Sequence, residues 1–206
     1  MSVTKIVLTG GPGSGKSMTI EALKAKLCTG EARYELGGRR CLFLSETASE
    51  LILGGVAPST CRSVYDFQSI LFDLQLEKER AFDEATRRIE ADDFILFYDR
   101  GLIDGGAYIC DEEFGRLLEE KKTSVAKIYG RYDAVFALQT PDEYYSVSNN
   151  PARSESPGTA KIVNERTIAL WKGHPNMTMI PSAPTFEEKF EVLFKALKAY
   201  IDSRTD

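Results

Sequence analysis

Five short apolar runs, at residues 5–9, 41–44, 94–98, 134–138 and 177–180, recur along the chain with helical patterns between them. The runs are continuous rather than alternating, which is the signature of strands buried on both faces. Their alternation with helices predicts an α/β fold whose parallel sheet is covered on both sides. After the first run, Ile20, Leu23 and Leu27 mark one helix. Between the second and third, Phe67, Leu71, Leu74, Ala81, Ala85 and Ile89 recur at helical steps, as one long helix or a broken pair. The last helix carries Phe186, Phe190, Leu193, Leu197 and Ile201 on one face, with Thr185 and Glu188 spaced as a capping box. There is no internal repeat and no low-complexity linker, so residues 1–206 read as one domain.

One stretch breaks the pattern. Residues 140–158 hold prolines, asparagines and serines and almost no periodic apolar position. Loops this long inside compact domains are usually functional or disordered. Open parallel sheets bind ligands beyond the carboxyl ends of their strands. A loop leaving the fourth strand is therefore placed to act as a lid over a ligand held by the first.

The first run leads directly into Gly10-Gly11-Pro12-Gly13-Ser14-Gly15-Lys16-Ser17, which fits G-x-x-x-x-G-K-S between a strand and a helix. Glycines let successive N–H groups point inward around phosphate, and the helix N-terminus adds partial positive charge. Gly11, Pro12, Gly13, Ser14, Gly15, Lys16, Ser17 and Met18 are the expected triphosphate contacts. Lys16 would reach the terminal phosphates and Ser17 would ligate Mg²⁺. A mere glycine turn would explain the glycines but not Lys-Ser at the helix start. Without ligand, Lys16 is expected to be an exposed charge. A guanine-reading N-K-x-D is absent after the fourth strand, where the chain reads Leu138-Gln139-Thr140-Pro141-Asp142, so both ATP and GTP stay open.

Charged residues at the other strand ends supply the candidate chemistry. Phosphoryl transfer needs a metal, a group that orients or deprotonates the acceptor, and cationic clamps. Asp99, after four apolar residues, would hold Mg²⁺ directly or through water. Glu46 would act as general base on the acceptor side, and Arg100 would clamp a phosphate or hold an acceptor. The plainer readings are an Asp99–Arg100 ion pair and carboxylates that only cap the next helix, the latter applying equally to Asp104. Arg153 in the lid would reach the transferring phosphoryl on closure, or else pair with Glu155; Arg166 is a weaker second choice. His174 is the single histidine, which argues against zinc and histidine-based chemistry. Trp171 reads as a core anchor.

Composition narrows the classes. The net charge of -5 offers no basic footprint for nucleic acid. The four cysteines, Cys28, Cys41, Cys61 and Cys110, lack paired spacing and read as reduced, mostly buried thiols of a cytoplasmic protein. The first apolar run is too short for a transmembrane segment or a signal peptide.

The glycine loop, the Glu46-Thr47-Ala48 step, Phe67-Gln68 and Gln75 together resemble the AAA-like P-loop nucleotide kinase domains, among them the nicotinamide riboside kinase domain and the TRPL translocation defect family. Residues 131–135, 150–155, 171–175 and 185–189 are similar to the latter. The resemblance implies a P-loop NTPase sheet of strand order 2-3-1-4-5 with a lid between the fourth and fifth strands. It implies that Glu46 and Asp99 face the reaction centre, that Arg153 belongs to the lid, and that residues 181–185 lie against the base. It also brings phosphoinositide contact into view. Two functions follow: phosphoryl transfer from ATP or GTP to a small-molecule acceptor, or a regulatory module that hydrolyses slowly and switches a partner. A polar cavity beside Glu46 and Asp99 that could hold a nucleoside favours the first; a closed apolar wall favours the second.

Overall fold

The computed structural model describes residues 2–28, 35–91, 93–140 and 157–204. The lid assigned to residues 140–158, with Arg153 and Glu155, lies almost wholly outside them. The strands are β1 (Ser2–Thr9), β2 (Arg40–Leu44), β3 (Asp93–Asp99), β4 (Ala134–Leu138) and β5 (Met177–Ile180). Each contains its predicted apolar run. All pair in parallel, in the order β2-β3-β1-β4-β5. β1 extends further back than its apolar run because Ser2 and Val3 continue the ladder opposite Asp93 and Phe94.

Alternate residues of each strand enter different layers. Ile6, Leu8, Ile95, Phe97, Phe136 and Leu138 pack on one side with helices α1 (Lys16–Cys28) and α7 (Phe186–Asp202). Val7, Phe94, Leu96, Tyr98 and Val135 pack on the other. That second layer is closed by α3 (Val64–Thr86), α4 (Asp111–Glu120), α5 (Val125–Tyr129) and α6 (Pro157–Trp171). A short α2 (Thr47–Leu53) follows β2, and a 3₁₀ turn, Asp104–Tyr108, follows β3. Burying each such apolar side chain contributes about 1.5–3 kcal/mol.

The long amphipathic stretch is one helix. It starts where Ser63, in extended conformation, accepts a hydrogen bond from Asp66 N, and it ends before Ile89. At α7, Thr185 accepts from Glu188 N at 3.2 Å, which is the expected N-cap bond. Trp171 is fully buried, stacked on Tyr129 and edge-on to Tyr132, as its reading as a core anchor required. The cysteines differ from expectation. All four are free thiols, but Cys28 and Cys110 are exposed and Cys41 and Cys61 only half-buried. Cys28 ends its helix and Cys110 precedes one, and both ends face solvent. No described helix is long and apolar enough to cross a membrane.

β1 lies between β3 and β4; the chain passes from β1 through α1 to β2 on one side, and after β3 it crosses to β4 on the other. The strand order therefore reverses at its carboxyl end, and a crevice opens there.

Candidate functional site

Everything at the mouth of the sheet is arranged around the loop between β1 and α1. Gly13 and Gly15 adopt φ of 77° and 87°, a region that side chains rarely enter, and this curls the loop. Gly11 answers a different need: a Cβ there would come within 2.3 Å of the Asn164 Cβ on α6. Its N–H donates to Asn164 Oδ1 at 2.8 Å, so α6 holds the loop directly.

Lys16 corrects an expectation. It is not an exposed charge but 5% exposed, folded over its own loop. Its Nζ donates to Gly10 O and Gly11 O, both at 2.8 Å, and to Ser14 Oγ at 3.1 Å. Burial first, and the Arg100 guanidinium second, lower its pKa from 10.5 to about 7. The loop carbonyls satisfy the ammonium until a better acceptor comes. Ser17 and Met18 are exposed, and the Ser17 side lines the adjoining cavity.

Asp99 closes β3 opposite Leu8 and is 5% exposed. Its Oδ1 is buried without a hydrogen-bond partner. Burial, then the nearby Glu46 carboxylate, raise its pKa to about 6. It does not pair with Arg100. The Arg100 Nε instead donates to Glu46 Oε1 at 2.6 Å, and its Nη1 to Gly10 O at 3.3 Å. Glu46 also accepts from Ser49 Oγ at 2.6 Å through Oε2. Burial pushes the Glu46 carboxyl up, but Arg100, Lys16 and those hydrogen bonds outweigh it and hold the pKa at about 2. Such a carboxylate orients a hydroxyl better than it takes a proton from one.

Asp104 is buried and caps no helix, since Ile103 occupies the cap position. It accepts from Thr9 Oγ1 at 2.8 Å and from Trp171 Nε1, tying the end of β1 to α6. Arg166 lies apart from the site, donating to Ile109 O and, at 3.0 Å, to Asp111 Oδ1. His174 is buried among Tyr129, Trp171 and the Tyr132 carbonyl, a structural role.

Three residues were given no role by the sequence, although Gln75 and Lys189 carry part of the family resemblance. Lys189, in the first turn of α7, donates to Ser14 O at 2.9 Å and to Gln139 O, bracing the glycine loop from beneath. Gln75 accepts from Thr47 Oγ1 and donates to Glu79 Oε1 at 3.2 Å. Glu79 in turn takes Tyr132 Oη and Arg131 Nη2, each at 2.6 Å. Polar residues at helical spacing within the apolar face of α3 were the signal for this buried chain.

A cavity of about 410 Å³ runs from Lys16, Ser17 and Asp99 past Glu46 and Arg100 to Gln68 and Phe72. That is within the size range of small-molecule sites, about 300–1,000 Å³. The orphaned Asp99 Oδ1 and the exposed Ser17 hydroxyl suit a hard divalent cation. Among the described residues no group of three His, Cys, Asp or Glu side chains could hold one. A cation would thus need phosphate oxygens and water to complete its shell, the usual arrangement for Mg²⁺.

A parallel 2-3-1-4-5 sheet with a G-x-x-x-x-G-K-S loop at the mouth of its central strand defines a P-loop nucleotide-kinase-like domain. The profile described as "AAA domain" matches residues 5–189, and the chain belongs to that family. Two solved structures share the fold. One is the NadR protein in complex with NAD and AMP-PNP, at 14% identity and TM-score 0.63, covering 97% of this chain and 50% of NadR. The chain thus spans half the length of NadR. The other is deoxyadenosine kinase from M. mycoides with bound dATP, at 13% identity and TM-score 0.58, covering 94% of this chain and 98% of that one. A search of curated protein sequences finds no match.

Proposed function

We propose that the protein binds a nucleoside triphosphate, ATP or GTP, with Mg²⁺ on the glycine loop and transfers the terminal phosphoryl to a hydroxyl of a small acceptor in the adjoining cavity. The observation that carries this reading is the cavity itself, which opens beside Glu46 and Asp99 and sets Lys16, Arg100 and Asp104 among largely apolar walls where a switch-only module would be closed off. The nucleotides in the two structural relatives support it.

In this reading Lys16 exchanges its loop carbonyls for the terminal phosphates. Ser17 and Asp99 hold the cation, which when bound neutralises charge on the phosphate oxygens. Glu46, fixed by Arg100 and Ser49, accepts a hydrogen bond from the acceptor hydroxyl and aims its oxygen at phosphorus. The new O–P bond forms as the bond to the bridging oxygen breaks, the nucleoside diphosphate leaves with that oxygen, and the hydroxyl proton passes late to an oxygen of the transferred phosphoryl group. Because such transition states are loose, orientation matters more than basicity, which accommodates a carboxylate held at about 2. Arg100 positions Glu46, and Arg153 from the lid segment would stabilise the moving phosphoryl.

The test is calorimetric titration of Mg²⁺–ATP and Mg²⁺–GTP into wild type and Lys16→Ala, together with diphosphate release across a panel of hydroxyl acceptors. Lys16→Ala should lose most triphosphate affinity while retaining a cooperative melt, and at least one acceptor should stimulate wild-type release. Unchanged affinity in the variant would overturn the binding assignment. Release that no acceptor stimulates would transfer the reading to the regulatory module.

A further inference from the structure

One peptide of the glycine loop is held from both of its faces. Its carbonyl, Gly10 O, accepts from Lys16 Nζ at 2.8 Å and from Arg100 Nη1 at 3.3 Å. Its N–H, on Gly11, donates to Asn164 Oδ1 at 2.8 Å. A trans peptide points these two groups in opposite directions. Fixing the N–H on α6 therefore aims the carbonyl at the site.

The chain does not fix that aim by itself. Both residues of the peptide are glycines, and without a Cβ on either side it rotates at little cost. The glycines are needed for fit. Gly10 stands at φ 138°, and a Cβ on it would come within 2.4 Å of Leu138 O, while Asn164 excludes a Cβ from Gly11. The loop is thus seated closely against β4 and α6 but left with a peptide that an outside bond must hold.

α6 is able to hold it. Ala160, Val163, Thr167 and Trp171 form its buried stripe, and Asn164 lies half-buried beside them. Trp171 follows Asn164 by about 10 Å of helix at the rise of about 1.5 Å per residue. It donates to Asp104, whose other oxygen accepts from Thr9 Oγ1 at 2.8 Å. One helix thus grips the chain on either side of Gly10, at Thr9 through Asp104 and at Gly11 directly. Gly10 O is also the atom that Lys16, on the phosphate side, shares with Arg100, which fixes Glu46 on the acceptor side. A peptide whose N–H is engaged presents a stronger carbonyl acceptor.

We propose, resting on the triphosphate-binding reading above, that Asn164 is a positioning residue: by holding the Gly11 N–H it sets Gly10 O, and through that oxygen the places of Lys16 and Arg100. In this role the Gly11 N–H is spent on α6 and shapes the loop.

The test starts from the full chain without nucleotide, trace-acetylated with acetic anhydride and read lysine by lysine by peptide mass spectrometry. Asn164→Ala withdraws the acceptor and keeps the Cβ. Lys16 then loses one of its three acceptors and should acetylate about three- to tenfold faster, the scale of one hydrogen bond's net worth. Lys189, which braces the same loop through Ser14 O, should keep its wild-type rate. Asn164→Asp retains an acceptor of the same shape and should leave Lys16 as slow as in wild type. Calorimetric titration of Mg²⁺–ATP and Mg²⁺–GTP should show the alanine variant binding about three- to tenfold more weakly. If that variant does not fold, Asn164→Leu, branched alike but without an acceptor, replaces it in both measurements. An unchanged Lys16 rate, or a joint rise at Lys16 and Lys189 that marks a loosened loop, would overturn the proposal. So would an aspartate variant that labels like the alanine one, or unchanged triphosphate affinity. Acetylation needs no nucleotide, so its failure is distinct from a wild type that binds no triphosphate.

Discussion

Replacing Glu46 with Gln keeps the shape of the side chain and removes its charge, which tests orientation against mere packing. In the protein Glu46 takes Arg100 Nε and Ser49 Oγ, each at 2.6 Å, with side chains 21% and 15% exposed for Glu46 and Arg100. Deleting one partner of a fully buried pair costs about 3–5 kcal/mol. Partial exposure screens this pair, and Gln still offers an oxygen to Arg100, so a loss of about 1–3 kcal/mol at pH 7 is expected. A nearer replacement for Arg100 is not at hand, because Asp104 Oδ2 stands 3.9 Å from its Nη1.

The pH dependence gives the loss a signature. Glu46 titrates at about 2 in the fold against an ordinary 4.5. Between those values the unfolded chain binds more protons, so this stabilisation is complete above 4.5 and fades as pH falls toward 2. Asp99 runs the other way. Raised from 3.8 to about 6, it binds more protons in the fold across that window and costs stability as pH rises through it. Urea melts at pH 3, 4.5 and 7 should show a shallower acid limb in Glu46→Gln than in wild type. Acceptor-dependent turnover should fall about 10²-fold, the lower end of the usual 10²–10⁴-fold range, since Glu46 is a weak base. Wild-type stability at pH 7 with an unchanged acid limb and turnover within about twofold would refute the role given to Glu46.

Two further substitutions probe the supports of the site. Lys189→Met removes the brace between Ser14 O and Gln139 O and should weaken triphosphate binding several-fold; burial lowers the lysine from 10.5 to about 8, so its contribution to stability rises between those pH values, and melts at pH 7.5 and 10 should show a smaller rise in the variant, which keeps only the parallel contribution of Lys16, than in wild type. Trp171→Ala should cost about 3–5 kcal/mol, and Trp171→Phe a smaller amount that isolates the bond to Asp104; a chemical-denaturation loss under about 1 kcal/mol for the Ala variant would refute its place at the centre of the second layer.

Strands were legible because parallel strands buried on both faces must be continuous apolar runs, and no other soluble element is so short and so apolar. The loop was legible because glycine at positive φ followed by Lys-Ser is a local chemical requirement. Pairings across the chain were not. That Arg100 joins Glu46 rather than its neighbour Asp99 depends on β2 and β3 ending side by side, which no local pattern records. The burial of Lys16 escaped for a similar reason, since its partners are backbone carbonyls that every sequence possesses. Hydropathy also failed for the cysteines, whose type is commonly buried but which here stand at helix ends (Cys28, Cys110), in a bend (Cys61) and on the outermost strand β2 (Cys41).

The mouth of the sheet is also where the fold gives up stability. Arg100 holds φ at 73°, a conformation that costs a residue with a side chain about 1–3 kcal/mol. Glycine would relieve that strain, but glycine could not follow its N–H bond to Leu8 O with a guanidinium turned back onto Glu46 and Gly10 O. Asp99 Oδ1 and Gln68 Oε1, unpartnered and buried, lie in the same cavity. Around them the polar groups are served: Asp104 by Thr9 and Trp171, Gln75 by Thr47 and Glu79, Glu79 by Arg131 and Tyr132. The strain at Arg100 and two of the unmet buried oxygens thus meet in one cavity, as a site built for a ligand requires, while the unpartnered Tyr98 hydroxyl is buried in the second layer outside it.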